Sequence, residues 1–156
     1  MLLVLSVGLS SAQSGVDRGL ERQVLTLFEQ GDLDSAEALL EEADAEQPDS
    51  PQILAWLGTA RYLSRKYKTA EQPLQRAVEL GQRDLGTQYY LASTLWENGR
   101  LQAADEFCQR AIETQGNQLP LVHLLGRLYL WQGRFEEAVE WLDRAVKMSP
   151  RSLDLW

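Results

Sequence analysis

The sequence holds one histidine, His123, and one cysteine, Cys108. A single thiol excludes an intramolecular disulfide framework, and no Cys/His spacing of the zinc-binding kind is present. Glycine-rich phosphate loops and G-x-S-x-G turns are missing as well. Positive charge is scarce: 15 Lys and Arg stand against 23 Asp and Glu, for a net charge of −8. That balance is the reverse of a nucleic-acid interface, which carries a basic stripe. No apolar run approaches the roughly 20 residues needed to cross a bilayer as a helix. Carboxylate pairs such as Glu41/Glu42 and Glu136/Glu137 read as solvated helix surface and not as an acid/base pair. These absences argue against an enzyme and against any cofactor, metal or small-molecule substrate.

What the chain has in abundance is self-similarity. Residues 119–152 form two helical patterns separated by Gly133 and stopped by Pro150. Leu125, Gly126, Tyr129, Gly133, Phe135, Ala138, Leu142, Ala145 and Pro150 stand at positions 7, 8, 11, 15, 17, 20, 24, 27 and 32 of a 34-residue frame. Stepping back by 34 aligns Leu125 with Leu91 and Leu57, and Ala138 with Ala104, Ala70 and Ala36. Ala145, Ala111, Ala77 and Ala43 share position 27, while Phe135, Leu101, Tyr67 and Leu33 share position 17. Position 24 reads Leu142, Cys108, Leu74 and Leu40, which assigns Cys108 to the core. Short side chains at positions 8, 20 and 27 are what closely packed helices require.

This spacing resembles the tetratricopeptide repeat. The resemblance implies an all-α fold, a right-handed α-superhelix (solenoid) of four helix-turn-helix repeats spanning 17–50, 51–84, 85–118 and 119–152. Such arrays gain stability from each repeat and from each interface between neighbours.

Charge is uneven among the frames: −9, +3, −2 and +1 in order, with Asp154 adding the last −1. In the first frame, Glu37, Glu41, Glu42, Asp44, Glu46 and Asp49 fall off the buried stripe and read as a solubilising terminal cap. In the second, Arg65-Lys66 replaces the usual glycine turn, which predicts a tighter or less regular connection. Pro73 sits inside a helical pattern, at a cost of about 3 kcal/mol, and predicts a bend.

Two segments lie outside the frames. Residues 1–12 carry an apolar run ending in Ser10-Ser11-Ala12, the form of a secretory signal h-region and cleavage site, followed by a linker at 13–16. No Lys or Arg precedes Arg18, so an uncleaved anchor or an apolar tail packed on the first repeat stay open as alternatives. The expected location is periplasmic or secreted, with membrane anchoring as the alternative. Residues 153–156 read as the start of a fifth repeat, which suggests a longer array or an edge covered by self-association.

The resemblance also implies a binding face, because first helices of the family line a concave groove through positions 2, 5, 9, 12 and 13. Position 12 reads Phe28, Tyr62, Trp96 and Leu130; beside it stand Tyr89 and His123 at position 5, Arg127 at position 9 and Trp131 at position 13. Aromatic and Arg side chains suit binding hot spots. The Lys/Asn set of the chaperone-tail carboxylate clamp is not present, so the expected ligand is an apolar or aromatic segment with an acid near Arg127. The function implied is a non-catalytic protein-interaction scaffold, serving assembly of an envelope complex. The alternatives are the recognition module of a longer enzyme and a self-associating array.

Overall fold

The computed structural model describes residues 16–149, so the signal-like segment and the fifth-repeat start lie outside the described residues. Among these, eight α-helices and no strands are found: α1 (Arg18–Gln30), α2 (Leu33–Glu46), α3 (Pro51–Leu63), α4 (Tyr67–Glu79), α5 (Leu85–Glu97), α6 (Leu101–Gln115), α7 (Leu119–Trp131) and α8 (Phe135–Met148). The helices form two compact units that meet in sequence at Thr94 and Leu95, within α5. None of the helices is long and apolar enough to cross a membrane.

In the first unit, α1 packs on α2, α2 on α3 and α3 on α4. Its core joins Val24 and Phe28 of α1, Ala36, Leu40 and Ala43 of α2, and Ile53, Trp56, Leu57 and Ala60 of α3. Helix α3 lies between neighbours and is buried continuously from Gln52 to Ala60. Helix α1 is different. It exposes Arg22, Gln23 and Thr26 at frame positions 6, 7 and 10, where α3 buries Trp56, Leu57 and Ala60. In the second unit α6 packs on α7 and α7 on α8. Leu121, Val122, Leu125 and Leu128 of α7 are almost fully buried, beside Cys108 of α6 and Ala138 of α8. Burial pushes the Cys108 thiol up to about 12.

The glycine at position 8 sets the approach of the helices within a pair. A Cβ placed on Gly126 would lie 2.7 Å from Cγ of Leu142 and 3.2 Å from its backbone nitrogen. One placed on Gly58 would lie 2.4 Å from Cγ of Leu74. Because backbone stands close behind the side chain, the contact is not relieved by rotating Leu142 alone.

The turn at Arg65 departs from expectation. Gly31, Gly99 and Gly133 close their turns at φ of 73°, 76° and 73°, and Arg65 takes the same left-handed conformation at 60°. The hydrogen bonds also match: Arg65 N–H donates to Tyr62 O at 2.9 Å and Lys66 N–H to Arg61 O at 2.8 Å. At Gly133 the equivalent bonds are 3.1 and 2.9 Å. Two backbone bonds therefore impose the regular turn on a residue with a Cβ, and the irregular connection expected from the sequence does not occur. The cost is strain, since a left-handed non-glycine residue carries a penalty on the order of 1–3 kcal/mol.

Pro73 is buried within α4, and the helix continues through it to Glu79. The proline has no N–H for the carbonyl of Thr69 one turn earlier. That carbonyl instead accepts a hydrogen bond from Nη1 of Arg61 on α3, at 3.2 Å.

Two outcomes follow for stability. Gly126→Ala lowers it by about 1–3 kcal/mol through overpacking against Leu142, read from urea denaturation. Arg65→Gly raises it by about 1 kcal/mol, the relieved strain exceeding the added chain entropy. An unchanged or lower denaturation midpoint for Arg65→Gly contradicts the strained turn.

Candidate protein-interaction site

Polar contacts between repeats define which surfaces are already engaged. In the first unit Arg61 of α3 reaches back to α2, donating from Nε to Glu37 at 2.9 Å and from Nη2 to Glu41 at 2.7 Å. Lys66 adds a hydrogen bond to the second oxygen of Glu37 at 2.6 Å. In the second unit the hydroxyl of Tyr129 on α7 donates to Asp105 of α6 at 2.7 Å and accepts from Gln109 at 2.8 Å. Arg134 reaches Asp105 at 3.2 Å, lies over the Tyr129 ring at 4.2 Å and pairs with Glu137.

These two clasps occupy the same frame positions. Arg61 and Tyr129 stand 24 residues after Glu37 and Asp105, and 20 after Glu41 and Gln109; Lys66 and Arg134 follow Glu37 and Asp105 by 29. The chemistry differs while the geometry repeats. In one clasp a guanidinium sits between two carboxylates; in the other a phenol sits between a carboxylate and an amide.

The first clasp withdraws Glu37 from the acidic face read as a solvated cap, while Glu41, Glu42, Glu46 and Asp49 stay exposed. Glu37 is only 13% exposed and serves two cations. Glu41 holds Arg61, and Asp49 pairs with Arg76 at 2.9 Å. Three of the six acids thus bind the positively charged second repeat, and the uneven charge of the frames is the sequence signal for it. Burial raises the Glu37 carboxyl, but hydrogen bonds from Lys66 and Arg61 outweigh it and hold the group below its ordinary value of 4.5. In the second clasp, burial and then the hydrogen bond to Asp105 push the Tyr129 phenol up to about 12.

The residues assigned to the groove divide between the units. Phe28 is 9% exposed and belongs to the α1–α3 core, leaving little of it for a partner. Tyr62 is half-buried, its ring 5.4 Å from Tyr67 and 5.2 Å from Tyr90. Tyr89 stacks edge-on against Tyr90 at 5.6 Å. Tyr90, which sequence reasoning missed, is the ring on which both predicted tyrosines converge. Position 6 reads Arg22, Trp56 and Leu124 in the other repeats, so nothing but its neighbours in space marks it.

In the second unit the arrangement is more open. The Arg127 guanidinium lies over the ring of half-buried Trp96, 5.1 Å from its centroid. Leu130 and Trp131, just beyond Arg127 on α7, are 50% and 65% exposed. His123, one turn before Arg127, is half-buried; burial first and the Arg127 charge second hold its imidazole below the ordinary value. Arg127, Leu130 and Trp131 together offer a cation and two apolar side chains to solvent.

Two open clefts add little chemistry. One of about 470 Å³ is lined by α4 side chains from Lys68 to Glu79. The other, of about 400 Å³, lies beside Ile112, Trp141 and Arg144, with Arg144 stacked 4.9 Å above the Trp141 ring. Among the described residues no three His, Cys, Asp or Glu side chains come together as metal ligands.

Antiparallel helix pairs with glycine-set spacing and a repeated inter-pair clasp define an all-α protein of the helical-repeat class. The family model described as tetratricopeptide repeat matches residues 27–93 and 95–156, and the chain belongs to that family. No curated protein sequence matches it. Among solved structures it is similar to YrrB, described as a tetratricopeptide repeat protein with an unusual peptide-binding site, with a TM-score of 0.78 and 22% identity over 86% of this chain and 69% of that one. MamA of MSR-1 gives a TM-score of 0.73 and 23% identity, covering 83% of this chain and 74% of that one. MamA from Desulfovibrio magneticus RS-1 gives 0.78 and 17%, covering 86% and 76%. At these identities the likeness is one of fold.

The Glu37 clasp carries a pH signature. A carboxyl with a lowered value stabilises the fold fully above its ordinary value of 4.5 and loses that contribution as pH falls through the lowered one. Glu37→Gln therefore lowers the thermal midpoint at pH 7, and the gap to the parent closes on acidification below pH 4.5. A gap that stays constant from neutral to acid pH contradicts the clasp.

Proposed function

We propose that this protein is a non-catalytic interaction scaffold that captures a partner protein segment on the second unit, through Trp96, Arg127, Leu130 and Trp131. The observation that carries the reading is the Arg127–Trp96 stack beside exposed Leu130 and Trp131. Arg held over an aromatic face loses little freedom on binding, and Trp supplies a large contact area with few rotors. Members of this repeat family are generally non-catalytic and bind protein or peptide partners, and the peptide-binding site named for YrrB agrees with a peptide as the ligand class.

The partner segment carries an apolar or aromatic residue against Leu130 and Trp131 and an acidic group near Arg127. His123 is neutral at physiological pH because its imidazole is held low, so it adds no second cation to the site. Tyr62 and Tyr89 contribute packing around Tyr90 before they contribute to binding, and Phe28 belongs to the core. The repeat frames 17–50, 51–84, 85–118 and 119–152 are the unit of this scaffold, and an export signal within residues 1–12 directs it to the cell envelope, where it serves complex assembly.

The test is capture from envelope extract by the parent and by Arg127→Ala/Trp131→Ala, with circular dichroism as the control. Loss of two hot-spot side chains weakens capture at least about tenfold while helix content stays unchanged. Equal capture by the folded double variant contradicts the proposed site.

A further inference from the structure

The two clasps differ in what a proton would leave behind. In the first, the enclosed member is a cation: the Arg61 side chain is 18% exposed, and its two counter-ions, Glu37 and Glu41, both come from α2. In the second, the enclosed donor is the Tyr129 hydroxyl, which carries no charge, and Arg134 is already 40% exposed with Glu137 beside it. Protonating Asp105 therefore strands no enclosed cation. Protonating Glu37 and Glu41 strands one. A charge held away from water without its counter-ion is strongly destabilising, more so than the pair it came from. Parting α2 from α3 relieves this by letting water reach the guanidinium.

The charged groups around Glu37 form one set. Arg61 comes from α3 and Lys66 from the α3–α4 turn; on α2 itself, Asp34 shares Lys66 and Glu41 shares Arg61. Arg61 is also bonded to the Thr69 carbonyl at 3.2 Å, which keeps the cation with α3 and α4 when α2 moves. The connection from α2 to α3 carries one further tie, Asp49 to Arg76 of α4 at 2.9 Å, with Glu79 sharing Arg76. Burial raises the Glu37 carboxyl, but the bonds from Lys66 and Arg61 outweigh it; the bond and charge of Arg76 lower Asp49. Both ties are thus complete above the ordinary values of 4.5 and 3.8 and are lost as pH falls through the lowered ones. Apolar hold on the first repeat is thin. Buried residues are Val24 and Phe28 on α1 and Ala36, Leu40 and Ala43 on α2, against the whole of Gln52 to Ala60 on α3. Elements with few buried apolar side chains open locally before the rest unfolds.

We propose that the Arg61 clasp is an acid-opened latch: protonation of Glu37 and Glu41 frees α1 and α2 to swing from α3 about the 47–50 connection, while α3 and α4 stay packed. Trp56 is 3% exposed in the core that α3 shares with α1 and α2, so the opening uncovers it. The latch uses none of the capture residues on α7 and stands independently of them.

The experiment is an acid titration of the full chain from pH 7 to about pH 3 at constant salt, with two readings. One is the fluorine resonance of Trp56 in protein labelled with 5-fluorotryptophan, assigned through Trp56→Phe. The other is amide hydrogen-exchange protection of α6, α7 and α8. In the parent, the Trp56 resonance moves to its solvent-exposed position below pH 4.5, while protection of α6, α7 and α8 is retained. Glu37→Asp/Glu41→Gln/Arg61→Tyr places at the first interface the residues found at the equivalent positions of the second. It keeps Trp56 covered at the pH where the parent opens. Arg61→Met, which has no cation to strand, does the same and stands in if the triple variant does not fold at pH 7. Three outcomes overturn the proposal. They are loss of α6, α7 and α8 protection together with or before the Trp56 shift, a Trp56 resonance that stays in place until helix content is lost, and folded variants that open at the same pH as the parent.

Discussion

The second helix of every pair has two sides to bury, and its own first helix covers only one. The other side is covered by the first helix of the next repeat, as α3 covers α2 and α7 covers α6. Much of this molecule follows from that constraint. It explains why α3 is buried along nine consecutive residues, Gln52 to Ala60. On α1 the residues at the corresponding positions, Arg22, Gln23 and Thr26, are polar and exposed.

Apolar contact alone would let neighbouring repeats slide, because a stripe of Leu and Ala fits a stripe of Leu and Ala in more than one register. The clasps remove that freedom. Arg61 bonds to two carboxylates on α2 and to the Thr69 carbonyl on α4, so one side chain ties three helices and also satisfies the acceptor that Pro73 leaves without its helical donor. Tyr129 does the equivalent work between α6 and α7 with a neutral hydroxyl. Buried polar groups of this kind are costly when left alone and specific when matched. The two clasps achieve the same register with different chemistry, which points to geometry as the shared requirement.

The all-α repeat fold was legible because its determinants are local and periodic: alanines at positions 20 and 27, and glycine at position 8 against a leucine at position 24. The polar clasps were less so, since they join residues 20 to 29 apart whose types change from one repeat to the next. Only the charge contrast between the first two frames hinted at Arg61 and Glu37. The turn at Arg65 was misjudged because residue preference was read in place of hydrogen bonding; two backbone bonds outweigh the strain of one left-handed arginine. The groove residues were equivalent by position and unequal in space. Periodicity says that Phe28, Tyr62, Trp96 and Leu130 share a helical face, but exposure depends on neighbours, and Phe28 is enclosed where Leu130 is open.

Exposed large apolar side chains gather almost entirely in the fourth repeat, on α7 from Leu130 and on α8 from Phe135, with Leu80 the one exception among the described residues. The account places molecular recognition on this surface. Hydroxyl-radical footprinting of the full chain, with and without captured partner, tests that most directly. The account predicts that partner shields Trp131. Shielding that falls instead on Tyr62, Tyr67 and Tyr89, with Trp131 unchanged, would place recognition in the first unit and contradict it.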